Sequence, residues 1–185
     1  SLVKTEYAAR FDSDDIMQKN RLSEQLSFLE NNRSISVVGS NISLIDEKSK
    51  VIGSRVYPSS NKDLINYFMF RCGLAHPSTM FRIKDVLTVG LYDQNQPGAE
   101  DLDLWLRMIK KGYKFHNIQK NLLYYRKNKF RTSNHWQHVY AVRSSNSGIF
   151  PFIVEKFILI CFKLLIVIKN LGLIIMDEEH DVSYK

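Results

Sequence analysis

The sequence predicts a mixed α/β domain, and three observations carry that expectation. Short runs rich in Val, Ile, Tyr and Phe read as strands. Leucines at helical spacing mark helices between them. The two kinds of segment alternate through Arg126, and such alternation belongs to the α/β class.

Each element follows in order. Tyr7–Phe11 is a short strand that ends in a run of acids, Asp12-Ser13-Asp14-Asp15. An amphipathic helix comes next, with Leu22, Leu26 and Leu29 on its apolar face, and Asn31-Asn32 stops it. Ile35–Ile45 is a strand with Val38, Ser40, Ile42 and Leu44 on one face; a polar turn over 46–50 returns the chain as Val51–Tyr57. Asn61–Arg71 is helical. His76–Arg82 reads as extended, because the residue before a proline is pushed away from the helical region. A loop over Tyr92–Ala99 carries Pro97-Gly98 and leads into a helix over Glu100–Lys111, with Leu102, Leu106 and Ile109 inward and Gly112 as its stop. Tyr113–Ile118 and Leu122–Arg126 close the domain as strands.

Size and composition suit one core. In 185 residues, 44% hydrophobic and 24% charged, eleven Phe, nine Tyr and two Trp supply bulky packing material. The net charge of +7 is compatible with nucleic acid, an anionic membrane surface or phosphorylated ligands, and equally with a solvated basic surface. Cys72 and Cys161 are far apart and have no metal-ligand spacing, which argues against a disulfide scaffold and for a reducing, cytoplasmic compartment. The chain opens on Ser1 rather than Met, and its first five residues read as the end of a helix, so it is expected to begin inside a domain.

The C-terminal stretch differs. A connecting segment, 134–148, leads to a hydrophobic segment over 149–176 and a polar tail over 177–185. Glu155, Lys156, Lys163 and Lys169 interrupt the apolar residues, and the longest unbroken run is six residues, 157–162. Lys163 would stand near the middle of a spanning helix, where charge is costly. Lys156, Lys163 and Asn170 recur every seven residues along one face, so the expectation is a helix lying in the membrane interface, against the alternatives of a buried core helix or a true span.

Four motifs can carry chemistry, and each has a plainer reading. Clustered Asp12, Asp14 and Asp15 repel one another unless a cation sits between them, and hard oxygen ligands favour Mg²⁺ or Mn²⁺. A helix N-cap cluster explains the same residues. Glu100-Asp101-x-Asp103 opens a helix, whose dipole favours ionised Asp101, as a general base requires; acids are also ordinary there. Trp105, in the same segment, reads as core before it reads as a sugar platform. His76 in His-Pro-Ser is structural or site-forming. The stretch from Tyr124 to Arg131, including Arg126, can hold a diphosphate or nucleic acid, or be solvated surface.

Taken together, the order resembles family 2 glycosyltransferases: an acidic loop followed by Arg21-Leu22, then His-Pro-Ser, then Glu-Asp-x-Asp-Leu-Trp-Leu-Arg, then Leu-Tyr-Tyr-Arg. The resemblance spans roughly residues 1–133. It implies a GT-A-like mixed sheet with flanking helices, of which this chain carries the later part. The Rossmann-like half that precedes these motifs in the family and holds the nucleobase is not in this sequence. A histidine that often follows the Tyr-Arg pair is replaced by Asn128. The implied reaction is inverting transfer from a nucleotide-diphosphate sugar to a saccharide or lipid-linked saccharide, in bacterial cell-surface polysaccharide synthesis at the inner face of the membrane. Asp14 with Asp12 would hold Mn²⁺ or Mg²⁺, and Asp101 would be the base. Glu100, Asp103, His76, Trp105 and Arg126 would face substrate. The rivals are an inactive fragment and a basic nucleic-acid-binding module. No nucleic-acid motif accompanies the latter, the acidic loops would repel phosphate without a metal, and no nucleic-acid partner is expected.

Overall fold

A computed structural model describes residues 4–68, 71–96, 98–127, 160, 161, 163 and 164. The first strands and helices are β1 (Tyr7–Ala9), β2 (Ile16–Met17), α1 (Arg21–Asn31), β3 (Ile35–Ile45), β4 (Val51–Arg55) and α2 (Asn61–Phe68). After a 3-10 turn over His76–Ser78 come β5 (Met80–Arg82), α3 (Ile83–Thr88), α4 (Glu100–Lys110) and β6 (Lys114–Arg126). The strands form a mixed sheet in the order β1-β5-β3-β6-β2, with β4 paired to β3. Central β3 runs parallel to β6 and antiparallel to β4 and β5. The expected mixed α/β class with flanking helices is what is found.

Alternation along β3 divides the core, because successive strand residues face opposite sides. Val37 joins Phe81, Phe115, Trp105 and Leu64 on the side covered by α2 and α4. Val38 joins Leu29 and Met80 on the side covered by α1. Both faces of β3 are therefore covered, and it is buried from Ser36 to Ile45 rather than along one face only. A strand covered on both sides reads as a near-continuous buried run.

Several local expectations need correction. The buried stripe of α1 is Arg21, Gln25 and Leu29, whereas Leu22 and Leu26 are exposed. His76–Ser78 is a turn and not extended: Pro77 occupies its first turn, where a missing N–H costs nothing, and the His76 carbonyl accepts the Thr79 N–H at 3.1 Å. The two closing strands are one, because β3 offers a parallel partner along their whole length. Two short elements, β2 and α3, were not expected.

The segments 134–148 and 177–185 lie outside the described residues. So does the hydrophobic stretch 149–176, apart from four helical positions at which Ile160 and Leu164 are exposed. Among the described residues no helix is long and apolar enough to cross a membrane.

Candidate functional site

The acidic loop lies between β1 and β2, where the short β1 runs out beside β5. Asp12 forms an ion pair with Arg10, Asp14 is exposed, and Asp15 is turned inward. Asp15 Oδ1 accepts the Arg126 N–H at 2.8 Å, while its buried Oδ2 has no partner. Burial, together with the charges of Asp14 and Asp12, pushes the Asp15 carboxyl up to about 6; the Arg126 hydrogen bond and Arg10 oppose this.

Arg126 does not reach outward in this structure. Its Nε donates to the Asp14 carbonyl at 2.8 Å, and its Nη atoms donate to the Asp46 carbonyl at 2.6 Å and Ser49 Oγ at 2.9 Å. It ties the acidic loop to the β3–β4 turn, holding the loop's backbone while the Asp14 side chain stays in solvent.

The three acids of α4 part company. Residues two apart on a helix point to opposite sides. Asp103 is buried and ion-paired with Arg107 at 2.7 Å. Arg107 in turn donates to the carbonyls of Val89 and Leu91, where Leu91 takes φ 64, a conformation costly for a side chain. Asp103 therefore serves the α3–α4 connection. Asp101 faces the other way. Its Oδ1 accepts the Leu102 N–H at 2.8 Å, and its Oδ2 meets the Cys72 thiol at 3.8 Å.

His76 joins the two acidic regions. Burial holds its imidazole below the usual range, against the opposing pull of Asp101, Glu100 and Asp12; Arg10 acts with burial. That single ring thus feels the first turn of α4 and the acidic loop together. Its Nε2 lies 2.9 Å from Tyr92 Oη, and burial with Asp101 pushes the Tyr92 hydroxyl up to about 12. Trp105 packs its edge against His76 from within the core, 6.2 Å between ring centroids. It is fully buried beside Phe81 and Phe115, so it supports His76 and offers no open face to a sugar.

Asp12, Asp101 and Glu100 therefore lie within electrostatic reach of His76, while Asp103, Trp105 and Arg126 are engaged in holding the surrounding segments. Arg10, Cys72 and Tyr92 were not picked out from the sequence. Their isolated side chains carry no local signal, and they are functional candidates only by position. Among the described residues no three His, Cys, Asp or Glu converge as a ligand set for a metal. Two aspartates on a loop end nevertheless suit Mg²⁺ or Mn²⁺, which keep several waters and take further oxygens from phosphates.

No protein-family model matches the chain. Its sequence is 33% identical over 127 residues to the uncharacterized glycosyltransferase MJ1057 of Methanocaldococcus jannaschii, covering 68% of this chain and 43% of that protein. It is 35% identical over 131 residues to the O-antigen biosynthesis glycosyltransferase WbnJ of Escherichia coli, covering 68% and 50%. Over 115 residues it is 30% identical to the amylovoran biosynthesis glycosyltransferase AmsE of Erwinia amylovora, covering 62% and 42%. The chain spans half or less of these relatives' length, and by sequence it is a homologue of part of the glycosyltransferases.

Proposed function

We propose that this domain is the acceptor- and metal-binding part of a family 2, GT-A-like, inverting glycosyltransferase. It uses a nucleotide-diphosphate sugar and a saccharide or lipid-linked saccharide acceptor, and works in cell-surface polysaccharide assembly at the cytoplasmic face of the membrane. The observation that carries the reading is that buried His76 feels Asp101 and Glu100 of α4 and Asp12 of the acidic loop at once. The names of WbnJ and AmsE support the pathway.

An acceptor hydroxyl is a weak nucleophile at neutral pH, and a base within hydrogen-bond reach assists its attack. The hydrogen bond of Asp101 Oδ1 within its own helix, which orients Oδ2, supports Asp101 as that base. The acceptor oxygen bonds to the anomeric carbon as the bond to the leaving diphosphate breaks. The electron pair departs with the diphosphate, and the hydroxyl proton passes to Asp101. Asp14, with Asp12, would hold Mn²⁺ or Mg²⁺, which when bound neutralises charge on the diphosphate. Glu100 and His76 line the acceptor side, and buried Trp105 backs His76.

The test is Asp101→Asn in the intact protein, assayed by release of nucleoside diphosphate. Asparagine keeps the oxygen that accepts the Leu102 N–H but loses basicity. Turnover should fall by ~10²–10⁴-fold with donor KM little changed. Near-normal turnover in Asp101→Asn, with activity abolished in Glu100→Gln or Asp103→Asn, refutes the assignment.

A further inference from the structure

We propose that Arg21 and Gln25 are positioning residues: a buried strut that sets the acidic loop and the His76 turn in a fixed relation, an inference resting on the site assigned above. Both side chains are fully buried on the inner face of α1. A helix gains nothing from burying a guanidinium for its own sake, since desolvating it is costly unless its N–H groups are used.

Their hydrogen bonds show where those groups are used. Arg21 Nη2 donates to the Arg10 carbonyl at 2.8 Å and to the Thr79 carbonyl at 3.3 Å. Arg21 Nε donates to Gln25 Oε1 at 2.9 Å, which orients the amide. Gln25 Nε2 then donates to the Ser78 carbonyl at 2.8 Å and the Val38 carbonyl at 3.1 Å. The Arg10 N–H closes the circuit on the same Thr79 carbonyl at 2.9 Å.

The carbonyls come from distinct parts of the fold. Arg10 stands two residues before Asp12, Ser78 ends the His76 turn and Thr79 caps it, and Val38 belongs to the central strand. Apolar residues at 21 and 25 could fill the space but could bond none of these carbonyls. The guanidinium reaches two of them from Nη2 while its Nε holds Gln25, a combination that a single lysine ammonium does not reproduce. Arg21 Nη1 and Asp15 Oδ2 are left buried without partners, and the Asp15 charge supports the Arg21 cation against a burial that brings it down to about 10. The strut thus stays charged at neutral pH and adds a link from α1 to the acidic loop itself.

The experiment compares Arg21→Met with Leu29→Ala in the intact protein. Leu29 is buried on the same helix and its side chain contributes only apolar packing, so its truncation controls for loss of stability alone. Hydrogen exchange is read by mass spectrometry, and turnover is expressed per folded molecule. In Arg21→Met, exchange over 10–15 and 75–79 should rise together, on the order of tenfold, as their shared anchor is lost. kcat should fall by about tenfold or more with donor KM within about threefold, because misplacement acts on the reacting geometry. Leu29→Ala should leave both segments protected and kcat near normal. Arg21→Lys should recover only part of the exchange protection. Equal behaviour of Arg21→Met and Leu29→Ala, or faster exchange in just one of the two segments, overturns the strut. A wild-type protein without transferase activity refutes the assigned reaction, while the exchange data still decide the strut.

Discussion

Substituting Gly39 by alanine would drive a methyl group into the polar anchor beneath the site. Gly39 lies in the buried stretch of β3, and a Cβ there would sit 2.2 Å from Asn117 Oδ1 and 2.9 Å from Leu74 Cδ2. Asn117 is fully buried on β6, with Nδ2 donating to the Gly73 carbonyl at 2.9 Å and the Pro58 carbonyl at 3.0 Å. To accept the methyl group, its amide must move by roughly an ångström, beyond what hydrogen-bond geometry tolerates. Two bonds worth about 0.5–1.5 kcal/mol each are then lost, and buried carbonyls left unpaired add to that, giving roughly 2–4 kcal/mol. The Gly73 carbonyl lies next to Cys72 and three residues before His76, so the damage reaches the site as well. Urea denaturation reads the cost as a lowered midpoint. Gly53→Ala is the control, since its nearest heavy atom is Leu44 Cδ1 at 3.8 Å, an ordinary contact. Placed on Asn117→Ala, Gly39→Ala should lose most of its effect, because its closest clash partner is gone and the Leu74 methyl is the far end of a flexible side chain. An unchanged midpoint for Gly39→Ala, or costs that simply add in the double variant, would show the reasoning to be wrong.

Asp14→Ala should abolish Mn²⁺-dependent binding of a nucleoside diphosphate in calorimetry, and equal binding by wild type removes Asp14 from the metal site. Arg82→Lys should cost roughly 2–4 kcal/mol. A lysine ammonium does not replace the guanidinium that donates to the carbonyls of Leu29 at 2.6 Å and Ile35 at 3.1 Å and to Tyr7 Oη at 2.8 Å. A thermal midpoint equal to wild type contradicts this. His76, held below its usual range by burial, favours folding in its neutral form. That contribution is complete above the unfolded pKa near ~6.5 and is lost as pH falls through the lower folded value. His76→Gln should therefore flatten the loss of stability between about pH 7 and pH 5, and an unaltered slope refutes the linkage.

Where a signal is local, the sequence alone determined the outcome. The strand over Ile35–Ile45 follows from β-branched residues bounded by polar turns, and α4 from three acids at its start and Gly112, at φ 81, after its end. The mixed α/β class followed from the alternation of such segments. Burial was another matter. Leucine spacing pointed to Leu22 and Leu26 as the inner face of α1, yet the fold buries Arg21 and Gln25, because backbone carbonyls of Arg10 just after β1, of β3 and of the His76 turn face that side. Nothing within α1 encodes where those carbonyls lie. Asp103 meets Arg107 at i,i+4 spacing within α4, but only the tertiary structure sets that pair against the Val89 and Leu91 carbonyls and puts Cys72 beside Asp101. The pairing of His76 with Tyr92, and the single field that reaches it from Asp12 and from Asp101, join residues far apart in the chain. Propensity and capping act over a few residues and can be read along the chain. Long-range packing and electrostatics depend on distances that exist only once the sheet has formed.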